Sequence, residues 1–287
     1  MAATRRTGAE RRERRLHALL LLPALVGLAV LYLYPLTGVL FRSVYHDGFT
    51  LAYYRQVIAS PVYLRVTLAT FEMAALVTLV CLALGYPLAY ALAALPPRRA
   101  RLLLVAVLLP FFTSLIVRTY AWMILLGRNG LVNQSAQALG LTPEPLALLY
   151  NQAGVVTGMT YVLLPFMVLT LYSVMRGIDP AVLRAGASLG ARPSVVFLRL
   201  FLPLSAPGVA AGSLLVFIFS LGFFITPALM GGPGDLMLAM LIEREVEFTL
   251  DWPLASTLAV VLLAVTLGGF ALVNRAVRLD RLFEAGR

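Results

Sequence analysis

Few side chains in these 287 residues can do covalent or metal chemistry, and none is grouped for it. His17 and His46 lie far apart, beside no cysteine or carboxylate cluster, so no metal-ligand set is expected. Cys81 is the single cysteine; it sits inside an apolar run, can form no internal disulfide and reads as a small packed hydrophobe. No Ser/His or Asp/His/Cys constellation offers a nucleophile with its base, which makes an enzyme improbable. Lysine is absent, and the phosphate-cradling Gly-Lys-Ser/Thr loop requires one. If ATP powers this protein, another polypeptide must bind it.

The polar residues that remain are suited to non-covalent work. Glu72 stands at the outer edge of an apolar run, where it faces either a wet cavity or the headgroup level. Tyr120 and Trp122 can stack on an organic cation or form part of an interfacial aromatic belt. Arg118 follows Arg101 by 17 residues, about 25 Å along a straight helix, which places it near the outer surface as an anchor. Glu243, Glu245, Glu247 and Asp251 form an acidic run that either guides a cationic ligand or partner, or is solvated loop charge.

The most patterned interval runs from Asp179 to Pro203. Asp179 suits a helix N-cap and Pro180 the first helical position. Val182, Leu183, Ala187 and Leu189 give a short helix its apolar positions, with Arg184 and Ser188 on another face. Gly190 can end it in a left-handed conformation. Arg192-Pro193 opens a return stretch through Leu200, Leu202 and Pro203. Helix, glycine stop and return helix make a rigid element, the kind that transmits a push where a floppy loop would absorb it. The alternative is an amphipathic helix lying on lipid, with its arginines on phosphates.

The elements that position these residues are membrane spans. Hydrophobic residues make up 61% of the chain and charged residues 13%, about half the share of a soluble domain, so a bilayer must cover the apolar surface. Six segments are long enough to cross about 30 Å of hydrocarbon: roughly 18–41, 66–95, 102–126, 152–175, 204–230 and 254–274. The basic start resembles a signal peptide, but its apolar run is too long and lacks a small-residue cleavage site, so a retained first span is expected. Thr7 to Glu10 matches a capping box for a short helix leading into it.

All 23 basic residues are arginine, and 17 of them fall in 1–17, 96–101, 176–203 and 275–287. The other six are Arg42, Arg55, Arg65, Arg118, Arg128 and Arg244. That bias puts both termini and the loop 176–203 in the cytoplasm. The net charge of +10 therefore reads as an orientation signal; no basic patch interleaved with aromatics points to nucleic acid. The expected organisation is a basic cytoplasmic segment 1–17, one transmembrane domain 18–274 and a cytoplasmic tail 275–287. No soluble domain and no internal repeat is visible, and the span centres hold almost no ionisable residues, which disfavours an ion-coupled secondary carrier. Gly154-x-x-x-Gly158 and Gly208-x-x-x-Gly212 allow close helix approach, as packing or as moving contacts.

The interval Ala185, Gly190, Leu200, Leu202, Pro203 resembles the EAA motif of binding-protein-dependent permeases, with Arg184 in place of the glutamate and Gly186 in place of the second alanine. The blocks Gly85–Ala93, Leu109–Trp122 continuing to Gly130, and Phe224–Gly232 are similar to B-type permease subunits of spermidine/putrescine importers. The resemblance covers about residues 18–275. It implies an all-α membrane protein, a six-helix bundle of the type I ABC importer permease kind, in the bacterial inner membrane. It implies half of a translocation pore, with a second permease subunit, a cytoplasmic ABC ATPase dimer carrying the ATP and Mg, and a periplasmic solute-binding protein as partners. The cargo implied is a polyamine; opines, phosphonates and iron complexes are carried by related permeases. The residues assigned to ATPase coupling are then Asp179, Pro180, Leu183, Arg184, Ala185, Gly186, Gly190, Leu202 and Pro203. Those assigned to the pathway are Glu72, Tyr120, Trp122, Phe223 and Phe224. No cofactor is expected on this chain.

Overall fold

In hydrocarbon a backbone must satisfy its own hydrogen bonds, so the long apolar runs become helices. The computed structural model describes residues 20–277, with side-chain environments as far as residue 271. The basic segment 1–17 with its capping box and His17, and the tail beyond Val277, lie outside the described residues.

The helices in chain order are α1 (Leu20–Arg42), α2 (Ala52–Ala59), α3 (Pro61–Ala94), α4 (Pro97–Leu108), α5 (Leu115–Leu126) and α6 (Leu131–Ala138). They continue as α7 (Gln152–Gly177), α8 (Pro180–Ser188), α9 (Pro193–Leu221), α10 (Ile225–Met230), α11 (Leu238–Glu247) and α12 (Trp252–Val277). No strand occurs among the described residues; one isolated bridge pairs Tyr45 with Phe49. Among the described residues, five helices are long and apolar enough to cross a membrane, and a sixth crossing exists if the bent pair Pro97–Phe112 and Leu115–Ala138 is counted as one span.

The core is a three-helix arrangement of α3, α7 and α9. Val77, Cys81, Met159, Leu163, Met167 and Val216 are buried within it. The helices come close because glycine stands at the contacts. A methyl group on Gly85 of α3 would lie 2.9 Å from Met167 Cγ of α7, and one on Gly212 of α9 2.9 Å from Met167 Sδ. A smaller cluster joins α2, the start of α3, α11 and α12 through Val57, Val66, Leu238, Leu241, Leu254 and Leu258. Thr70 Oγ1 fastens α3 to α11 by accepting the Leu238 N–H at 2.8 Å.

Three spans differ from the sequence expectation. The segment 102–126 is not one straight helix. It continues α4 through a 3-10 turn at Leu109–Phe112, breaks at Thr113-Ser114 and turns by 98° into the stretch Leu115–Ala138 that holds α5 and α6. Pro110 removes a ladder N–H at this place, and Thr113 and Ser114 are extended. The return stretch after Gly190 is not separate from the fifth span, because α9 runs unbroken from Pro193 to Leu221. It then stops at Gly222, which leaves Ile225–Met230 as a helix of its own rather than the end of a 204–230 span. Finally, α3 has 34 residues, about 51 Å of helix, so its first turns project beyond the hydrocarbon.

Candidate functional site

The segment after α7 is built by local chemistry. Asp179 Oδ1 accepts the Ala181 N–H at 2.8 Å, and Pro180 occupies the first helical turn. At the other end Gly190 has φ +81°, a left-handed conformation that glycine adopts without strain. The Gly190 N–H bonds Ala187 O at 3.0 Å, and the Ala191 N–H bonds Gly186 O at 3.3 Å. These two bonds form a Schellman stop, which satisfies carbonyls the helix would otherwise leave bare.

The faces of α8 differ from a simple apolar-in pattern. Leu183 packs against the core. Gly186 also points inward: a methyl there would lie 2.6 Å from Leu200 Cδ1. Its departure from alanine thus matches a close approach to the return helix. Val182 and Leu189 point outward, Leu189 being 89% exposed, alongside exposed Arg184 and Ala185. Arg184 joins no ion pair among the described residues. An ordered helix that shows water a valine, a leucine and an arginine presents a surface for a partner.

Behind α8 is a cavity of about 550 Å³, lined by Tyr90, Ala94, Arg176, Leu183, Phe197 and Phe201. Its far wall is aromatic. The Tyr90 ring meets Phe197 at 5.4 Å and Phe201 at 4.9 Å, both edge-on. Phe197 to Phe201 is a π-helical turn, in which the Leu202 N–H bonds Phe197 O. Pro203 follows and has no N–H of its own to continue the regular ladder. Leu202 and Pro203 themselves are exposed. Nearby, Tyr86 Oη and Ser205 Oγ lie 2.8 Å apart, joining α3 to α9.

The residues assigned to a pathway are not brought together. Glu72 lies 22 residues before the end of α3, about 33 Å along the helix, close to the thickness of a hydrocarbon core. It lines a cavity of about 200 Å³ with Gln152, Asp235 and Met237. Trp122 is half-buried with its ring 5.4 Å from Tyr161 in an edge-to-face contact, whereas Tyr120 is exposed. Two residues apart on a helix, they diverge and do not form one aromatic site. Phe223 packs against the core and Phe224 is exposed at the start of α10.

The break at Thr113-Ser114 also corrects Arg118. The straight-helix path to the outer surface does not exist, and its Nε and Nη1 are buried with no hydrogen-bond partner. The acidic run is helical in α11 as far as Glu247. Asp251 caps α12 by accepting the Leu254 N–H at 3.0 Å.

Sequence reasoning missed the cavity, the π-helical turn and the partner of Arg176. Only Pro203 signalled the turn; the others join residues more than eighty positions apart.

Known proteins share this architecture. A family model described as "Binding-protein-dependent transport system inner membrane component" matches residues 82–279. The chain is 37% identical, over 80% of its length and 84% of the relative, to the spermidine/putrescine transport system permease protein PotB of Escherichia coli (strain K12). It is 32% identical, over 92% of its length and 90% of the relative, to the inner membrane ABC transporter permease protein YdcU of the same strain. Among solved structures, a chain of a bacterial alginate ABC transporter, crystallised with an alginate pentasaccharide-bound periplasmic protein, superposes with a TM-score of 0.74 at 18% identity. That superposition covers 92% of this chain and 94% of the other.

Proposed function

Because the chain belongs to the family of binding-protein-dependent transport system inner membrane components, we propose that it is the permease subunit of an ATP-driven importer for spermidine or putrescine. It is a multi-pass inner-membrane protein and forms half of a translocation pore. It is not an enzyme; a separate ABC ATPase dimer hydrolyses ATP, a second permease completes the pore, and a periplasmic binding protein delivers the solute. The observation that carries this reading is the 37% identity to PotB, spread over most of both chains.

Within it, α8 is the coupling helix. Its exposed Val182, Arg184 and Leu189 meet the ATPase, and its stiff ends, the Asp179 cap and the Gly190 stop, pass motion to α7 and α9. Both termini and α8 then lie in the cytoplasm, as the arginine distribution requires. The reversed charge at Arg184 calls for an acidic patch on the ATPase.

Co-expression tests this. The chain alone hydrolyses no ATP; with its ATPase and sister permease it copurifies as a complex. Val182→Asp with Leu189→Asp, both on the exposed face, abolishes copurification while the helix stays folded. Retention of the ATPase by this double variant removes α8 as the dock. Calorimetry on the binding protein with spermidine and putrescine checks the cargo, and absence of binding by either sends the search to another solute.

A further inference from the structure

Arg176 stands in the last turn of α7, just before the coupling helix. Its side chain is spent on another helix. Nη1 donates to Ala93 O at 2.9 Å and approaches Leu95 O at 3.4 Å, across 83 and 81 residues of sequence. Those carbonyls belong to the C-terminal end of α3, where acceptors have no partner within their own helix and Pro96-Pro97 supplies no N–H. A guanidinium there makes charge-assisted bonds and meets the negative end of the helix dipole.

The cavity behind α8 gives this contact its significance. Tyr90, Ala93 and Ala94 of α3 and Leu183 of α8 all line its space of about 550 Å³. A void carries no contact force, because its lining atoms have no neighbours on one side. Motion of α8 therefore reaches α3 around the cavity, through α7, which packs along α3 in the core, and through two contacts at the helix ends. One of the end contacts is the edge-to-face packing of Tyr90 on Phe197 and Phe201. The other is Arg176, an exposed side chain whose hydrogen bonds tie the end of α7 to the end of α3.

We propose that Arg176 is a positioning residue that clasps the cytoplasmic ends of α3 and α7, so that displacement of the coupling helix moves both core helices together. It touches neither nucleotide nor cargo. The inference rests on the reading of α8 as the ATPase dock.

The test uses the full complex, both permeases with the ATPase and binding protein, in proteoliposomes. The readout is spermidine imported per ATP hydrolysed. Arg176→Ala keeps the ATPase bound and still hydrolysing, and imports about tenfold less solute per ATP, the scale of a lost charged hydrogen bond. Arg176→Lys recovers part of the ratio. Cys81 is buried, so a paired variant, Leu95→Cys with Arg176→Cys, can be bridged by a bifunctional thiol reagent. Bridging restores the ratio, whereas the reagent does nothing for Arg176→Cys alone. An unchanged ratio in Arg176→Ala overturns the proposal. So does a parallel fall of hydrolysis and import that bridging leaves uncorrected, or loss of the ATPase on mutation of Arg176 alone. Failure of the unmodified chain to hold the ATPase breaks the functional reading instead.

Discussion

Helices α1 and α7 are comparably apolar, yet they occupy opposite situations. None of the apolar window of α1 is buried within the chain, whereas well over half of that of α7 is. Hydropathy alone does not separate them. In a bilayer, lipid covers an apolar helix as well as another helix does, so packing is decided by how closely backbones approach. Within the membrane-spanning part of α7, Gly154 and Gly158 meet atoms: a methyl on Gly158 would lie 2.6 Å from Thr226 Cγ2 and 2.9 Å from Met230 Sδ. Along α1, a methyl on Gly27 or Gly38 would meet nothing within 4 Å. Glycine is a packing device in one helix and a bystander in the other.

The largest expected effect tests the packed side. Gly158→Leu overfills the contact between α7 and α10 and lowers stability by about 3 kcal/mol, read as a drop in the thermal midpoint of the detergent-purified chain. Next comes a glycine in open space that does not behave as a bystander. A methyl on Gly190 meets nothing within 4 Å, but its φ of +81° belongs to the left-handed region. Gly190→Val is expected to cost about 1–2 kcal/mol at the end of α8 and to weaken ATPase retention by roughly tenfold. Retention at the unmodified level shows that the stop is not needed for docking. The smallest effect sits on α1, where Gly27→Leu changes stability by no more than about 0.5 kcal/mol. A loss as large as that of Gly158→Leu, seen only when the sister permease is present, identifies α1 as covered by that subunit and ends the contrast.

The same division runs through the candidate site. Asp179, Pro180 and Gly190 were legible because each acts on backbone groups within a turn of itself. The direction of the short helix was less legible. Its four apolar positions suggest an inward face, but only Leu183 packs against the core, while Val182 and Leu189 face outward. A helix of nine residues admits several rotations, and the close fit of Gly186 on Leu200 selects one of them. Glu72 stood out as an ionisable residue in an apolar run, whereas the cavity it shares with Asp235 joins residues from distant parts of the chain.

The sequence by itself determined that the chain lives in a bilayer, that its apolar runs are helices, and that a capped, glycine-stopped helix separates α7 from α9. Each follows from composition or from residues a few positions apart. The tertiary structure decided that the chain turns by 98° between Pro97–Phe112 and Leu115–Ala138, that the Nε and Nη1 of Arg118 are buried without a partner, and that Arg176 closes the end of α3. A break can be read from Pro110 and the residues after it, but its angle is set by the helices against which the two arms pack. A cation at a helix end has many carbonyls within its reach in principle; only the packing of α3 on α7 brings Ala93 and Leu95 to it.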